Sequence, residues 1–571
     1  MPPMRPTPFR HAPRWQTPLL ALLLVWALLA GLGLREPMPA DEPRFVLAAR
    51  TMIETGQWLF PHRGIELYAE KPPTFMWLQA ASYRLVRDWQ VAFLLPSLLA
   101  ALLTLWLSGD LARRLWGRRA VPYAVFGLFV CLQFALQAKR AQIDMVLVGM
   151  TTLSLWALLR YLLEKPSAWL LALGTFAAGL GTVTKGVGFL PLLVFLPWLW
   201  VRVASRRALP AHRGLHALAG VAGFIAGAGV WLVPMLAVAL SSSDPALHAY
   251  AREMLFKQTG TRYANAWHHV KPAWYYLQTM LTLWLPGVLL APWLLPAWWR
   301  RLRRADPRYA LLLGWALLVL LFFSASPGKR EVYIFPMLPA LAVAAAPLLS
   351  GLLRRRAVRV VLWVYLAVLA TVAGVLGGWL LAASPERVQA LVDGRGMDID
   401  TVAQLGRWLI GFAAIAMVVM IVARRRVAVA LVAVTAALWT AYGMGFMPAL
   451  SPDSSARALM QRVGERIGPD AELALLGWRE QHLLQADRPV TEFGFKRPWV
   501  EQWQHAHAWL LEAPDRRWLF LRKDAMGPCL DPARVIDIGA SNRRAWILAP
   551  GTAWIAGCDV PATWSADVGE D

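Results

Sequence analysis

The chain has 571 residues, of which 58% are hydrophobic and only 16% charged, and its mean hydropathy is +0.45. Soluble proteins carry roughly 25% charged residues, so this composition excludes a string of soluble domains, a disordered or fibrous chain and a secreted disulfide scaffold, and fits a polytopic membrane protein. The formal net charge is +23. Residues 449–571 hold 14 Lys and Arg against 17 Asp and Glu, so the basic excess belongs to residues 1–448. There it clusters between apolar runs, and membrane topology accounts for it better than nucleic-acid binding.

A spanning helix needs about 20 apolar residues. Thirteen runs qualify: 17–34, 91–109, 120–138, 143–163, 168–184, 187–204, 215–240, 273–299, 308–324, 330–351, 357–383, 404–423 and 427–448. Arg5, Arg10 and Arg14 precede the first run and place the N-terminus in the cytoplasm by the positive-inside rule. Every second loop is then basic: Arg113–Arg119, Arg160 with Lys165, Arg202–Arg213, Arg300–Arg308, Arg354–Arg359 and Arg424–Arg426. Thirteen spans leave the C-terminus outside. The first run has a basic flank but no A-x-A cleavage site, and reads as an uncleaved anchor rather than a signal peptide.

The first outside loop, 35–90, contains amphipathic stretches at Arg44–Ile53 and Phe75–Val86 that fit interfacial helices. Residues 449–571 mix helical patterns (Ala456–Ile467, Trp499–Leu511) with strand-like runs (Leu473–Leu476, Trp518–Leu521), as in a small soluble α/β domain. Of the three cysteines, Cys131 sits in an apolar run as a small inert hydrophobe, and Cys529 and Cys558 can pair if the C-terminal segment lies outside the cytoplasm. The GxxxG of Gly223–Gly227 serves packing between this chain's own helices, and His268 and His269 read as surface residues.

Outside loops should be poor in Lys and Arg near helix ends, yet Lys71, Lys139, Arg140, Lys185, Arg262, Lys329 and Arg330 all map there, with Asp41, Glu42, Glu70 and Asp144 on the same side. Ionisable groups at membrane depth are costly and mark sites. Acids and bases converging from five loops fit an anionic ligand together with acid/base or metal chemistry. Cations can hold a lipid-linked phosphate and stabilise it as a leaving group. Carboxylates can deprotonate an acceptor or hold a divalent ion. A membrane-borne donor needs no nucleotide site, and neither a Walker A motif nor a GxGxxG after a strand occurs.

Five motifs in order then carry a resemblance: Arg35–Phe45 with its acidic pair, Tyr68-Ala69-Glu70-Lys71-Pro72-Pro73, Lys139-Arg140-Ala141-Gln142-Ile143-Asp144, Thr184-Lys185-Gly186, and Lys329–Pro336. Over roughly residues 15–345 the chain resembles GT-C class glycosyltransferases. Within that class it is most similar to the bacterial aminoarabinose (lipid A) transferases and their protein-mannosyltransferase-like relatives. The resemblance implies an α-helical polytopic fold of about 13 membrane helices (1–448) with a C-terminal periplasmic α/β domain (449–571). It also implies an undecaprenyl-phosphate sugar donor, such as 4-amino-4-deoxy-L-arabinose, and transfer to lipid A or another glycan or protein acceptor at the periplasmic face of the inner membrane, with no nucleic-acid partner. Asp41 takes the place of the catalytic first-loop Asp, assisted by Glu42 or Asp144. Arg44, Lys71, Lys185, Arg262, Lys329, Arg330 and Tyr333 would bind the donor phosphate, with Tyr68 also in the pocket. Glu70 stands where a divalent ion (zinc, magnesium or manganese) would bind. The chain departs from the group at Phe256–Tyr263, where Arg262 matches but an expected Glu-His pair is missing, and at Phe45, where a Tyr is usual.

Blander roles compete at each position. Asp41 and Asp144 can cap helices, Glu70 and Lys71 can form a solvated pair, and Lys139 and Arg140 can snorkel to headgroups. The rival functions are a protein O-mannosyltransferase, a flippase for a lipid-linked sugar, and a noncatalytic scaffold. A flippase would show internal repeats and charges at the midplane, which this sequence lacks.

Overall fold

A computed structural model describes residues 16–204, 210, 214–256, 270–384, 386–389, 392, 397–561 and 564. Helices dominate up to residue 467, and each of the thirteen apolar runs carries helix. They are not thirteen straight spans. Among the described residues, seven helices are long and apolar enough to cross a membrane, or nine if each of two bent pairs counts as one. Pro18–Leu29, Leu190–Ala204 and Met337–Leu352 are shorter apolar helices. The bent pairs, Arg118–Phe129 with Leu132–Ala138 (74°) and Tyr275–Leu283 with Gly287–Leu302 (101°), meet break to break. Leu132 N donates to Leu285 O at 3.1 Å, and the buried Trp284 indole donates to Gln133 Oε1 at 2.6 Å. A broken helix at membrane depth persists only if its freed backbone groups find partners, and here each break supplies the other.

The GxxxG helix, His216–Ser241, lies on Ala168–Lys185. A Cβ added at Gly223 would fall 2.4 Å from Ala172 O, and one at Gly227 2.2 Å from Phe176 O. The glycines thus allow backbones to touch within this chain, as expected for internal packing.

The loop 35–90, expected on the outside, forms the two expected helices, Glu42–Thr55 and Thr74–Val86, which pack through Phe45 and Phe75 (ring centroids 5.3 Å apart). Between them, strands β1 (His62–Arg63) and β2 (Glu66–Leu67) form a small antiparallel hairpin.

The C-terminal segment is an α/β layer. Strands β3 (Glu472–Leu476), β4 (Val490–Glu492), β5 (Arg517–Arg522), β6 (Ile536–Ser541) and β7 (Arg544–Pro550) form one sheet in the order β4-β3-β5-β7-β6. Strand β3 runs parallel to both β4 and β5, whereas β7 is antiparallel to β5 and β6. Alternate residues of β3 face opposite ways. Leu473 and Leu475 pack under helix Arg457–Ile467 with Leu459 and Val463, while Ala474 and Leu476 pack with Trp503 and Leu510 of helix Trp499–Glu512. Leu47 of the first outside loop joins the former cluster and docks the domain onto that loop. The boundary expected at 448/449 falls inside a helical path that runs from Val427 to Ile467. The path turns at Ala456 (φ 63°), so the domain begins there without a linker.

Cys529 and Cys558 are disulfide-bonded, 29 residues apart. Closing a loop of that length stabilises the folded state by about 3.6 kcal/mol in the chain-entropy account. Replacing both cysteines with serine should lower thermal stability of the C-terminal domain by about that amount, and an unchanged melting profile would contradict it.

Candidate active site

The site is assembled by a buried clamp. Glu42, 6% exposed, receives both Arg35 guanidinium nitrogens (2.5 and 2.7 Å). It also accepts the Met38 N–H at 3.0 Å and the Ala141 N–H at 2.9 Å. Arg35 in turn donates to Lys139 O at 3.0 Å, and the Lys139 ammonium donates to Leu28 O and Ala30 O at the end of the first helix. The expectation that Glu42 assists catalysis is corrected here, because its oxygens are consumed in tying the 35–42 turn to the 139–141 turn. Lys139 likewise caps carbonyls and does not reach lipid headgroups.

The clamp sets Asp41 beside Gln142. Asp41 occupies the N-cap of helix Glu42–Thr55, but its side chain makes no cap hydrogen bond. Instead Oδ2 accepts from Gln142 Nε2 at 3.1 Å and from Arg330 at 3.2 Å, and Oδ1 lies 4.0 Å from Arg44. Burial alone would raise the Asp41 pKa, but Arg330, Arg44 and then Lys185 outweigh it and hold the carboxyl below its ordinary value.

To one side of Asp41, Arg330 and Tyr333 share a turn in which Tyr333 N donates to Arg330 O at 3.1 Å. Lys185, in the last turn of its helix, pairs with Asp144, in the first turn of Ile143–Leu163. Each sits at the helix end whose dipole favours its charge. The Lys185 ammonium also lies 5.2 Å from the centre of the Tyr333 ring.

To the other side, Arg44 reaches Glu70 at 3.6 Å and Glu480 of the C-terminal domain at 3.2 Å. Arg63, from β1, bridges the same two carboxylates at 3.3 Å each and stacks 3.7 Å over the Phe495 ring. Lys496 approaches Glu70 at 3.6 Å, and Lys71 donates to the Glu70 carbonyl at 3.2 Å. Burial would raise the Glu70 pKa, yet Arg63, Arg44, Lys496 and Lys71 together lower it. Tyr68 is fully buried, its hydroxyl has no hydrogen-bond partner among the described residues, and burial drives its pKa upward.

Asp41, Arg44, Tyr68, Glu70, Lys71, Asp144, Lys185, Arg330 and Tyr333 therefore come together. Lys329 does not join them. It is buried, and its ammonium donates to Ser326 O and Lys271 O, a bracing role in place of the expected phosphate contact. Arg262 lies outside the described residues, as do His268 and His269. Both Glu70 oxygens face cations, and among the described residues no three His, Cys, Asp or Glu side chains cluster as a metal-binding group. Sequence reasoning passed over Gln142, though it lies inside a motif, and Arg63, another cation on the wrong side. Glu480 and Lys496 carried no signal at all.

Two outcomes follow. Glu42→Ala strands the buried Arg35 and should cost about 3–5 kcal/mol of stability, read as a loss of folded protein in detergent, whereas Asp41→Asn should fold normally. A carboxylate held low contributes stability above its unfolded pKa and loses it only as pH falls through the lower folded value. Asp41 should thus produce no acid limb in activity between about pH 5 and 8, and a limb there that Asp41→Asn removes would contradict the depressed pKa.

Comparisons with known proteins agree with this arrangement. Residues 70–232 match the dolichyl-phosphate-mannose-protein mannosyltransferase family, and residues 263–398 match the Alg9-like mannosyltransferase family. An undecaprenyl phosphate-alpha-4-amino-4-deoxy-L-arabinose arabinosyl transferase of Pseudomonas fluorescens is 33% identical over 377 residues, 64% of either chain. One from Aeromonas salmonicida is 32% identical over 386 residues, 63% of this chain and 66% of that one. The matched stretch is thus just under two thirds of these relatives' length. The crystal structure of ArnT from Cupriavidus metallidurans bound to undecaprenyl phosphate superposes with a TM-score of 0.71 at 20% identity, covering 96% of this chain and 99% of that one, and so shares its fold. In its ordered motifs and matching relatives the chain is similar to the GT-C membrane glycosyltransferases, among them the aminoarabinose transferases and their protein-mannosyltransferase-like kin, and it shares the fold of the aminoarabinose transferase structure.

Proposed function

We propose that this protein transfers a sugar, with 4-amino-4-deoxy-L-arabinose the first candidate, from undecaprenyl phosphate to lipid A or another envelope acceptor at the periplasmic face of the inner membrane. The observation that carries this reading is Asp41, ionised and set between Arg330 and Arg44, in a row of cations drawn from separate loops. The names of the relatives supply the donor and the sugar. The basic loops on the opposite side favour a cytoplasmic N-terminus, and the disulfide favours an oxidising compartment for the C-terminal domain.

In the transfer, an acceptor oxygen forms a bond to the anomeric carbon while the bond from that carbon to the phosphate oxygen breaks, and undecaprenyl phosphate departs with the electron pair. In this reading Lys185 and Arg330, with Lys71 and Tyr333, hold that phosphate and stabilise the charge it gains, a contribution that grows in the transition state. Asp41 is a weak base, because its pKa is lowered. A weak base suits an acceptor that is already an anion, such as a lipid A phosphate, and Asp41 would then orient it and balance charge. A protein acceptor with a hexose donor is the second reading, favoured by the family match over residues 70–232.

Asp41→Asn and Arg330→Ala should each lower transfer by about 10²–10³-fold, the scale for losing one preorganised electrostatic group. Mass spectrometry of lipid A and envelope glycans, with and without the gene and with each variant, reads the result. A pentosamine lost from lipid A supports the first reading, a hexose lost from protein supports the second, and no change in either refutes the proposal.

A further inference from the structure

A divalent ion was the expected companion of Glu70, but the chain surrounds that carboxylate with its own cations. Arg63 is 5% exposed at its side chain and is locked by Glu480 and the Phe495 ring. Arg44, 25% exposed, is divided among Asp41, Glu70 and Glu480. Lys496 differs from both. Its backbone N–H is pinned by Glu66 at 2.9 Å, while its side chain is 47% exposed and meets Glu70 from the solvent side. Of these three cations, Lys496 is the one that an incoming anion can reach without dismantling a buried network.

We propose that the C-terminal domain supplies Lys496 as the cation at Glu70 in place of a divalent ion, and that its ammonium takes a phosphate oxygen of a lipid substrate. A lysine ammonium is a compact charge on a flexible stem, so it can turn from a carboxylate to an arriving phosphate. The contacts support this: Arg44 and Arg63 each already meet both Glu70 and Glu480, so Lys496 is a further cation on Glu70 and not its sole partner. The C-terminal domain then forms part of the substrate site. This inference rests on the proposed function, because it assumes a phosphorylated lipid as substrate. That phosphate belongs either to the donor or to the acceptor.

The test uses the full-length protein purified in detergent, with binding of undecaprenyl phosphate and of diphosphorylated lipid A each measured by native mass spectrometry. Lys496→Ala should weaken one of the two lipids by about tenfold, and Lys496→Arg should restore most of the affinity. Lys523→Ala, at an exposed lysine that pairs with Asp537 and not with Glu70 or Glu480, should leave binding unchanged, and all variants should melt like the parent. Weakening confined to undecaprenyl phosphate assigns the contact to the donor, and weakening confined to lipid A assigns it to the acceptor. Treatment with EDTA should leave both affinities intact. Parental affinity of Lys496→Ala for both lipids, or loss of binding on metal removal, would overturn the inference while leaving the proposed function standing. A parent protein that binds neither lipid would overturn both.

Discussion

Charge cannot stay unpaired in a low-dielectric interior, and the site depends on how one pair, Arg35 and Glu42, meets that constraint. The two residues are seven apart in sequence and both buried, and they take up backbone groups from two turns more than a hundred positions apart. That clamp positions the neighbouring Asp41, which has no cap bond to hold it. The backbone that carries the acid at the centre of the site is therefore fixed by a buried pair that lies behind it.

From Asp41 the charges alternate outward in both directions. Arg330 leads towards Lys185 and Asp144 in the membrane part, and Arg44 leads towards Glu70, Glu480 and Lys496 in the C-terminal domain. Arg44 and Arg63 each bridge more than one carboxylate, as the planar fork of arginine permits. The row joins both domains into one electrostatic unit. It also explains why Asp41 and Glu70 remain ionised although burial opposes it.

Much of this was legible in the sequence, for a definite reason. Asp41, Lys71, Asp144, Lys185 and Arg330 stand out because they break the topology rule, and membranes make such exceptions costly. The rule is blind to which way a side chain turns. Glu42 and Lys329 are exceptions to it just as Asp41 and Arg330 are, yet one is folded into a clamp and the other onto carbonyls. Hydropathy likewise measures the length of an apolar run and not its direction, so the runs at 120–138 and 273–299 gave no hint of bends of 74° and 101°. Strands at 473–476 and 518–521 were visible through their apolar residues, whereas Glu480 and Lys496 gain meaning only when the sheet domain settles on the first outside loop.

The path from Val427 to Ile467 has a mechanical consequence. It leaves the bilayer and enters the C-terminal domain with only a turn at Ala456 between them. A domain joined this way does not swing on a tether, so the slant of the final membrane helix and the seating of Glu480 on Arg44 vary together. Bilayer thickness, which biases helix tilt through hydrophobic mismatch, thereby bears on the geometry around Asp41.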